Sequence, residues 1–159
     1  MKTNAMRILE KAGISFRTVT YEVDEKDLSG SGVARKTAIP ENRIFKTLVV
    51  KGDRSGYAVA CIPVERELNL KSFAVVSRNK KVEMIPVKDI FPLTGYIRGG
   101  CSPVGMKKAF PIFFDSTAVD FDWIAVSAGI RGQQILVDPR ELSAFVGAQY
   151  ADITDSQQG

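Results

Sequence analysis

Lys46 lies in the run Ile44-Phe45-Lys46-Thr47-Leu48-Val49-Val50, where strand alternation sets it on one face with Ile44, Leu48 and Val50. An ammonium on an apolar face loses hydration and is kept where it meets an anion, an acceptor or a reactive carbonyl. The same lysine on an edge strand could instead run its stem along the sheet and hold its charge in water. Two further segments have compositions suited to a site. Thr94 to Gly105 holds four glycines and a proline, so it must be a shaped loop. Its backbone amides could form an anion-binding concavity or an oxyanion hole, or it could be a turn-rich crossover. Ser127-Ala128-Gly129-Ile130-Arg131-Gly132 offers a hydroxyl and a guanidinium in a tight connection. Ser127 suits substrate orientation better than nucleophilic attack, because no lysine stands beside it in sequence and the chain has no histidine to activate it.

That lack of histidine removes the commonest general base, metal ligand and partner of a catalytic Ser or Cys. Cys61 and Cys101 are far apart and outside any paired spacing, which predicts reduced thiols, no metal site and no cofactor. Cys101, in the glycine loop, lacks an adjacent base and reads as a small packed residue. Chemistry is left to lysine, carboxylates, hydroxyls, backbone amides or the substrate itself. The net charge of +4 suits a polyanionic partner. Basic pairs at Arg35-Lys36, Lys80-Lys81 beside Arg78, and Lys107-Lys108 read either as solvated surface or as phosphate contacts.

These residues need a scaffold. At 159 residues the chain predicts one domain over 1–159, with a polar tail at 154–159 that frays. Thr3 or Asn4 caps a helix with a Met6, Leu9, Ala12 stripe ending at Gly13, and a strand follows from Phe16 to Tyr21. Asp24 to Gly32 reads as a loop and Val33 to Ile39 as a short helix before Pro40. Ile44 to Lys51 and Tyr57 to Pro63 form a hairpin at the centre of the sheet. Asn69 caps a helix carrying Leu70, Phe73 and Ala74, Val82 to Ile85 reads as a strand, and Val87 to Phe91 as a helical turn. Strands are expected at Ile112 to Phe114, Trp123 to Ser127 and Gln134 to Val137. Asp138, Pro139, Glu141 and Gly147 punctuate a final helix. The sum is a mixed α/β fold: a mixed, largely antiparallel sheet, curled or barrel-like, flanked by short helices. Arg7, Glu10 and Lys11 interrupt any apolar leader and no run reaches the length of a membrane span, so a cytoplasmic protein is expected.

Taken in order along nearly the whole chain, several segments resemble the YbaK/EbsC family of aminoacyl-tRNA deacylases, which includes the editing insertion of bacterial prolyl-tRNA synthetases. They are Phe45-Lys46-Thr47-Leu48-Val49, Leu68-Asn69-Leu70-Lys71, Lys80 to Met84, Thr94-Gly95-Tyr96 with Gly99-Gly100, Ser102-Pro103-Val104-Gly105, and Val126 to Gly129 with Arg131-Gly132. The resemblance implies an editing-domain fold and trans-acting cleavage of a mischarged tRNA at its acceptor end, with Cys-tRNA(Pro) as the expected substrate and a prolyl-tRNA synthetase as a candidate partner. It implies Lys46 as the catalytic residue, matching the family lysine. Tyr21, Thr47, Gly99, Gly100, Ser102, Ser127, Gly129 and Gln134 are implied as substrate-binding. In the YbaK branch the substrate cysteine thiol attacks its own ester carbonyl, a route that suits a chain without histidine; branches that clear alanine use water and the terminal ribose. Three departures bear on the amino acid recognised: Leu28 or Ser29 in a region where relatives often carry an aromatic, Ile130 for a usual lysine, and Gln134 where some carry Asp. The other readings are a binding module for tRNA or a synthetase that has kept the fold without catalysis, a deacylase for another small amino acid such as alanine, and a binder of a small-molecule ester or nucleotide using the same loops.

Overall fold

The helices are short, and their ends decide where they lie. Thr3 accepts the Met6 N–H and starts α1 (Asn4–Lys11), which buries Ala5, Met6 and Leu9; Ala12, expected on that stripe, is the exposed C-cap. After β1 (Phe16–Thr20), the Ser29 hydroxyl accepts the Gly32 N–H and opens α2 at Gly30–Thr37. This corrects the expected span of 33–39: the glycines that read as loop form the first turn, and Ala38, left-handed at φ 61°, ends the helix ahead of Pro40. A 3-10 turn at Glu41–Arg43 leads into β2 (Phe45–Gly52) and its hairpin partner β3 (Gly56–Pro63). The Asn69 side chain caps α3 (Leu70–Val76), and β4 (Val82–Met84) follows. A 3-10 turn at Val87–Asp89 then runs into α4 (Ile90–Thr94). The remainder is β5 (Ile112–Asp115), a 3-10 turn at Ser116–Asp120, β6 (Ile124–Ser127), β7 (Gln133–Val137), α5 (Pro139–Val146) and β8 (Gln149–Ala151). In α5, Asp138 caps the Arg140 N–H, Pro139 opens the helix and Gly147 closes it at φ 70°.

This computed structural model describes residues 2–155. Its curled sheet is realised as two: an antiparallel trio ordered β1-β7-β6, and a mixed sheet ordered β4-β2-β3-β5-β8 in which β3–β5 and β5–β8 are parallel. A parallel bridge between Ile44 and Ala125 joins them. The largest apolar cluster lies between the sheets, α1 and α5 and includes Leu9, Phe45, Phe114, Ile124, Ile135 and Leu142. A second, under α3, includes Ile62, Phe73, Phe113 and Ile153. The third, Ile39, Ile44, Ala125 and Leu136, lies under α2. Each large side chain buried this way contributes on the order of 1.5–3 kcal/mol.

β8 follows α5 where the sequence reads only a terminator and a tail, because three residues give no periodic signal. Thr154 and Asp155, the start of the expected frayed tail, are tied down. Thr154 bridges Leu68, its hydroxyl donates to the buried Asp115 carboxylate, and the Asp155 N–H donates to the Glu67 carbonyl. The rest of that tail, 156–159, lies outside the described residues.

Candidate active site

A polar row crosses the seam between the two sheets. On β7, Gln134 pairs with Val19 of β1 on one side and with Ser127 of β6 on the other. Two residues beyond the Ile44–Ala125 bridge, on the same faces, stand Lys46 and Ser127. Because the bridge is parallel, it carries the two side by side. Lys46 in turn pairs with Ile62 of β3. The third apolar cluster adjoins this row, and α2 packs on that cluster through Val33 and Ala34. Gly30, in the first turn of α2, rests directly on Val64, and a Cβ there would stand 2.2 Å from Val64 Cβ.

Lys46 shares its side of β2 with Leu48 and Val50, as alternation predicts, while Ile44 lies just before the strand and belongs to the third cluster. Burial holds the Lys46 pKa below the ordinary lysine value, and the charge of exposed Glu67 pulls the other way. The ion pairs among the described residues join Lys2 to Glu10, Arg35 to Asp27, Arg43 to Asp122 and Arg140 to Asp138; Lys46 is in none of them. Gln134 is 5% exposed, and its side-chain carbonyl oxygen is buried with no hydrogen-bond partner. Ser127 is also buried, and its Oγ accepts the Gly129 N–H at 3.1 Å. The row thus presents an ammonium, a hydroxyl and an amide oxygen whose bonding is incomplete, a set that fits a ligand with both donors and acceptors.

The glycine loop closes one end of the row. It is cinched at its base by the Lys107 N–H donating to the Thr94 carbonyl. Inside it the Tyr96 hydroxyl donates to the Val104 carbonyl, and the fully buried Ser102 accepts the Val104 N–H. At its tip Gly99, at φ 83°, and Gly100 abut the 127–132 turn. A Cβ on Gly100 would come within 3.2 Å of the Ile130 backbone, and one on Gly99 within 3.3 Å of Arg131 Nε. Arg131 Nε donates to the Arg98 carbonyl at 2.8 Å and locks the two loops together. The Gly100 N–H is committed to the Ile97 carbonyl, whereas Gly99 is exposed at the tip. Tyr21 joins this end: its N–H donates to the Gly132 carbonyl, and with Leu28, Lys36, Gly99 and Arg131 it lines a small cleft.

The predicted residues therefore divide into two groups. Lys46, Ser127 and Gln134 form the row, and Tyr21, Gly99 and Gly100 stand at its end. Thr47 does not join them: its side chain faces the opposite side of β2, with Oγ1 3.7 Å from Cys61 Sγ. Ser102 and Gly129 act inside the loops, Ser102 through its bond to Val104 and Gly129, at φ 100°, by close packing on the Tyr96 ring. Burial pushes the Cys61 thiol up to about 12 and the Cys101 thiol up to about 11, so both are neutral near pH 7. The neighbourhood of Lys46 and Ser127 was hidden in the sequence, since only the parallel bridge between distant strands creates it.

The model of the aminoacyl-tRNA editing domain matches residues 29–145, from the cap of α2 to the last turn of α5. The chain belongs to the aminoacyl-tRNA editing domain family. It is 46% identical over 156 residues to a protein of Enterococcus faecalis named "Putative Cys-tRNA(Pro)/Cys-tRNA(Cys) deacylase EbsC", covering 98% of this chain and 95% of that one. A proline–tRNA ligase of Thermosipho africanus is 33% identical over 76 residues, which are 48% of this chain and 13% of the ligase. The editing-domain fold is also that of a solved "putative trans-editing enzyme for prolyl tRNA synthetase", at TM-score 0.83 and 22% identity, covering 98% of this chain and 99% of that one. Among the described residues no group of three or more His, Cys, Asp or Glu could hold a metal ion, and no helix is long and apolar enough to cross a membrane.

Proposed function

We propose that this editing domain acts in trans in the cytosol, removing the amino acid from Cys-tRNA(Pro), with a prolyl-tRNA synthetase as its partner in delivering the substrate. The observation that carries the reading is the half-buried Lys46 ammonium, in none of the ion pairs, set beside Ser127 and Gln134 at the glycine loop. The similarity to EbsC along almost the whole chain supports the choice of substrate.

In this mechanism the substrate supplies its own nucleophile. The cysteine thiol passes its proton to the leaving ribose oxygen as its sulfur bonds to its own ester carbonyl carbon and the C–O bond to the terminal ribose breaks; the cyclic thioester so released is opened by water to cysteine. Lys46 donates to the oxygen on which negative charge grows, Gln134 accepts from the amino group, and the Gly99 amide faces the ester end. Fixed dipoles and proximity supply the rate, in a site whose apolar surroundings strengthen each contact. The decisive experiment offers purified protein cysteinyl-, alanyl-, seryl- and prolyl-tRNA of the proline acceptor, with and without a prolyl-tRNA synthetase, and follows release of each amino acid. Preferential release of cysteine supports the proposal. No release from any of the four, under either condition, would leave a binding module.

A further inference from the structure

Six exposed cations outside the site trace a path from the glycine loop to the far end of β2. Arg98 projects from the exposed tip of the glycine loop, next to Gly99. At the base of that loop Lys107 lies against Gly95, and exposed Lys108 follows it. Phe110, two residues on, packs edge-on against Tyr57 at 5.7 Å between ring centroids. Lys51 Nζ lies 5.9 Å over that same Tyr57 ring, and Lys51 and Lys81 line one surface hollow at the far end of β2, with exposed Lys80 adjoining. None of the six is in an ion pair of the described residues. Two acids lie on the path. Glu83 stands opposite Lys51 across the β2–β4 ladder, and the Asp53 carboxylate is occupied by the backbone N–H groups of Lys80 and Lys81.

From Lys46 to Lys51 the strand covers about 17 Å at about 3.3 Å per residue, and the odd offset sets Lys51 on the face opposite Lys46, so an RNA backbone reaches it from the glycine-loop side by way of Tyr57 and Phe110. One nucleic-acid strand sets on the order of five phosphates along such a length. We infer that this path is the seat of the tRNA backbone: Arg98, Lys107 and Lys108 hold phosphates of the single-stranded 3′ end, and Lys51, Lys80 and Lys81 hold those of the acceptor stem beyond it. The inference rests on the editing reading above and adds to it where the bulk of the RNA lies. The basic pair in α2 takes no part, because Arg35 is paired with Asp27 and Lys36 donates to the Glu22 carbonyl.

The test uses the full chain and two double variants, Lys107→Gln with Lys108→Gln and Lys80→Gln with Lys81→Gln, beside a control pair on α1, Arg7→Gln with Lys11→Gln. Binding of uncharged tRNA(Pro) is measured against salt. Single-turnover cleavage is measured on Cys-tRNA(Pro) and on a cysteinylated CCA trinucleotide. Each path variant should bind tRNA about 3- to 10-fold more weakly, with a salt slope shallower by roughly 1.4–1.8 for two lost contacts. The limiting cleavage rate should hold in both variants, and Lys80→Gln with Lys81→Gln should cleave the trinucleotide at the wild-type level throughout. The control pair should bind as wild type. Unchanged affinity and slope in both path variants would overturn the inference, as would equal losses in the control. The binding arm decides this even if no ester is cleaved, an outcome that would instead refute the editing reading.

Discussion

Ser127 and Gln134 are direct cross-strand partners, and the Gln134 side-chain oxygen beside Ser127 is buried without a donor. An unsatisfied buried acceptor costs about 1–3 kcal/mol, a cost that a bound ligand can remove. Gln134→Leu, close in size and with nothing left to satisfy, should unfold at an equal or higher denaturant concentration. Its half-saturating substrate concentration should rise at least about tenfold. Lower stability together with unchanged substrate affinity would make Gln134 a structural residue only.

No side chain of the protein is asked to form a covalent intermediate. Ser127→Ala and Cys101→Ala should each stay folded and keep single-turnover rates within about tenfold of wild type, with no acyl-enzyme detectable by mass spectrometry after rapid quench. The neutral thiol of Cys101 agrees with this, and so does the engagement of Ser127 Oγ by the Gly129 N–H. Because Lys46 stands beside Ser127, the serine variant is the sharper arm. A loss of several hundredfold with fold intact would show that the pair acts as nucleophile and base.

The helix beside the site, α2, should be sensitive to acid. The Ser29 hydroxyl, the Ser29 N–H and then Arg35 hold the Asp27 carboxyl down at about 2, from 3.8. A depressed carboxylate stabilises the fold above its unfolded pKa and loses that contribution as pH falls through its folded value. Amide protection in α2 should therefore decline between about pH 4 and pH 2 in wild type. In Asp27→Asn it should already be reduced at pH 7 and should show no such step. Identical α2 exchange in the two proteins at pH 7 would count against Asp27 as the organiser of this helix.

Most elements that carry the site were legible in the sequence because each has its own punctuation: Thr3, Asn69 and Asp138 as caps, Gly13 and Gly147 as stops. The start of α2 was not, because Gly30 and Gly32 read as loop by propensity but are needed where the helix meets Val64 and Asp27. Lys46 stood out as a charge in an apolar alternation, and that alternation is what sets it opposite Thr47. The family motif groups Lys46 and Thr47 as neighbours, whereas a strand sends neighbours to opposite faces, which is why Thr47 lies with Cys61. The meeting of Lys46 with Ser127 depends on a single bridge between segments 81 residues apart, and no local pattern encodes it.

The close approach of the glycine loop to the 127–132 turn leaves a methyl group on Gly100 tight against backbone at 3.2 Å. Gly100→Ala would press Cβ on the backbone of Ile130 and Arg131, atoms that cannot swing aside as a side chain can. The variant should lose about 1–3 kcal/mol of stability and about tenfold or more in cleavage rate. Gly56→Ala makes a useful contrast: its turn has open space but a φ of 79°, so it should lose stability without losing rate per folded molecule. Full activity in folded Gly100→Ala would mean that loop contact does not set the site's geometry.

The central claim is that the Lys46 ammonium stabilises charge on the reacting ester. Lys46→Ala should fold, and should gain stability relative to wild type at pH 7, because the lowered pKa marks a charge that burial disfavours. In the window between the lowered folded pKa and 10.5 the unfolded chain binds more protons, so wild-type stability rises with pH and this gap narrows. The most direct measurement is single-turnover deacylation of Cys-tRNA(Pro) at saturating enzyme, wild type against Lys46→Ala, with circular dichroism confirming the fold. The account predicts a fall of about 10²-fold or more in the limiting rate. A folded Lys46→Ala that cleaves the ester at close to the wild-type rate would contradict it.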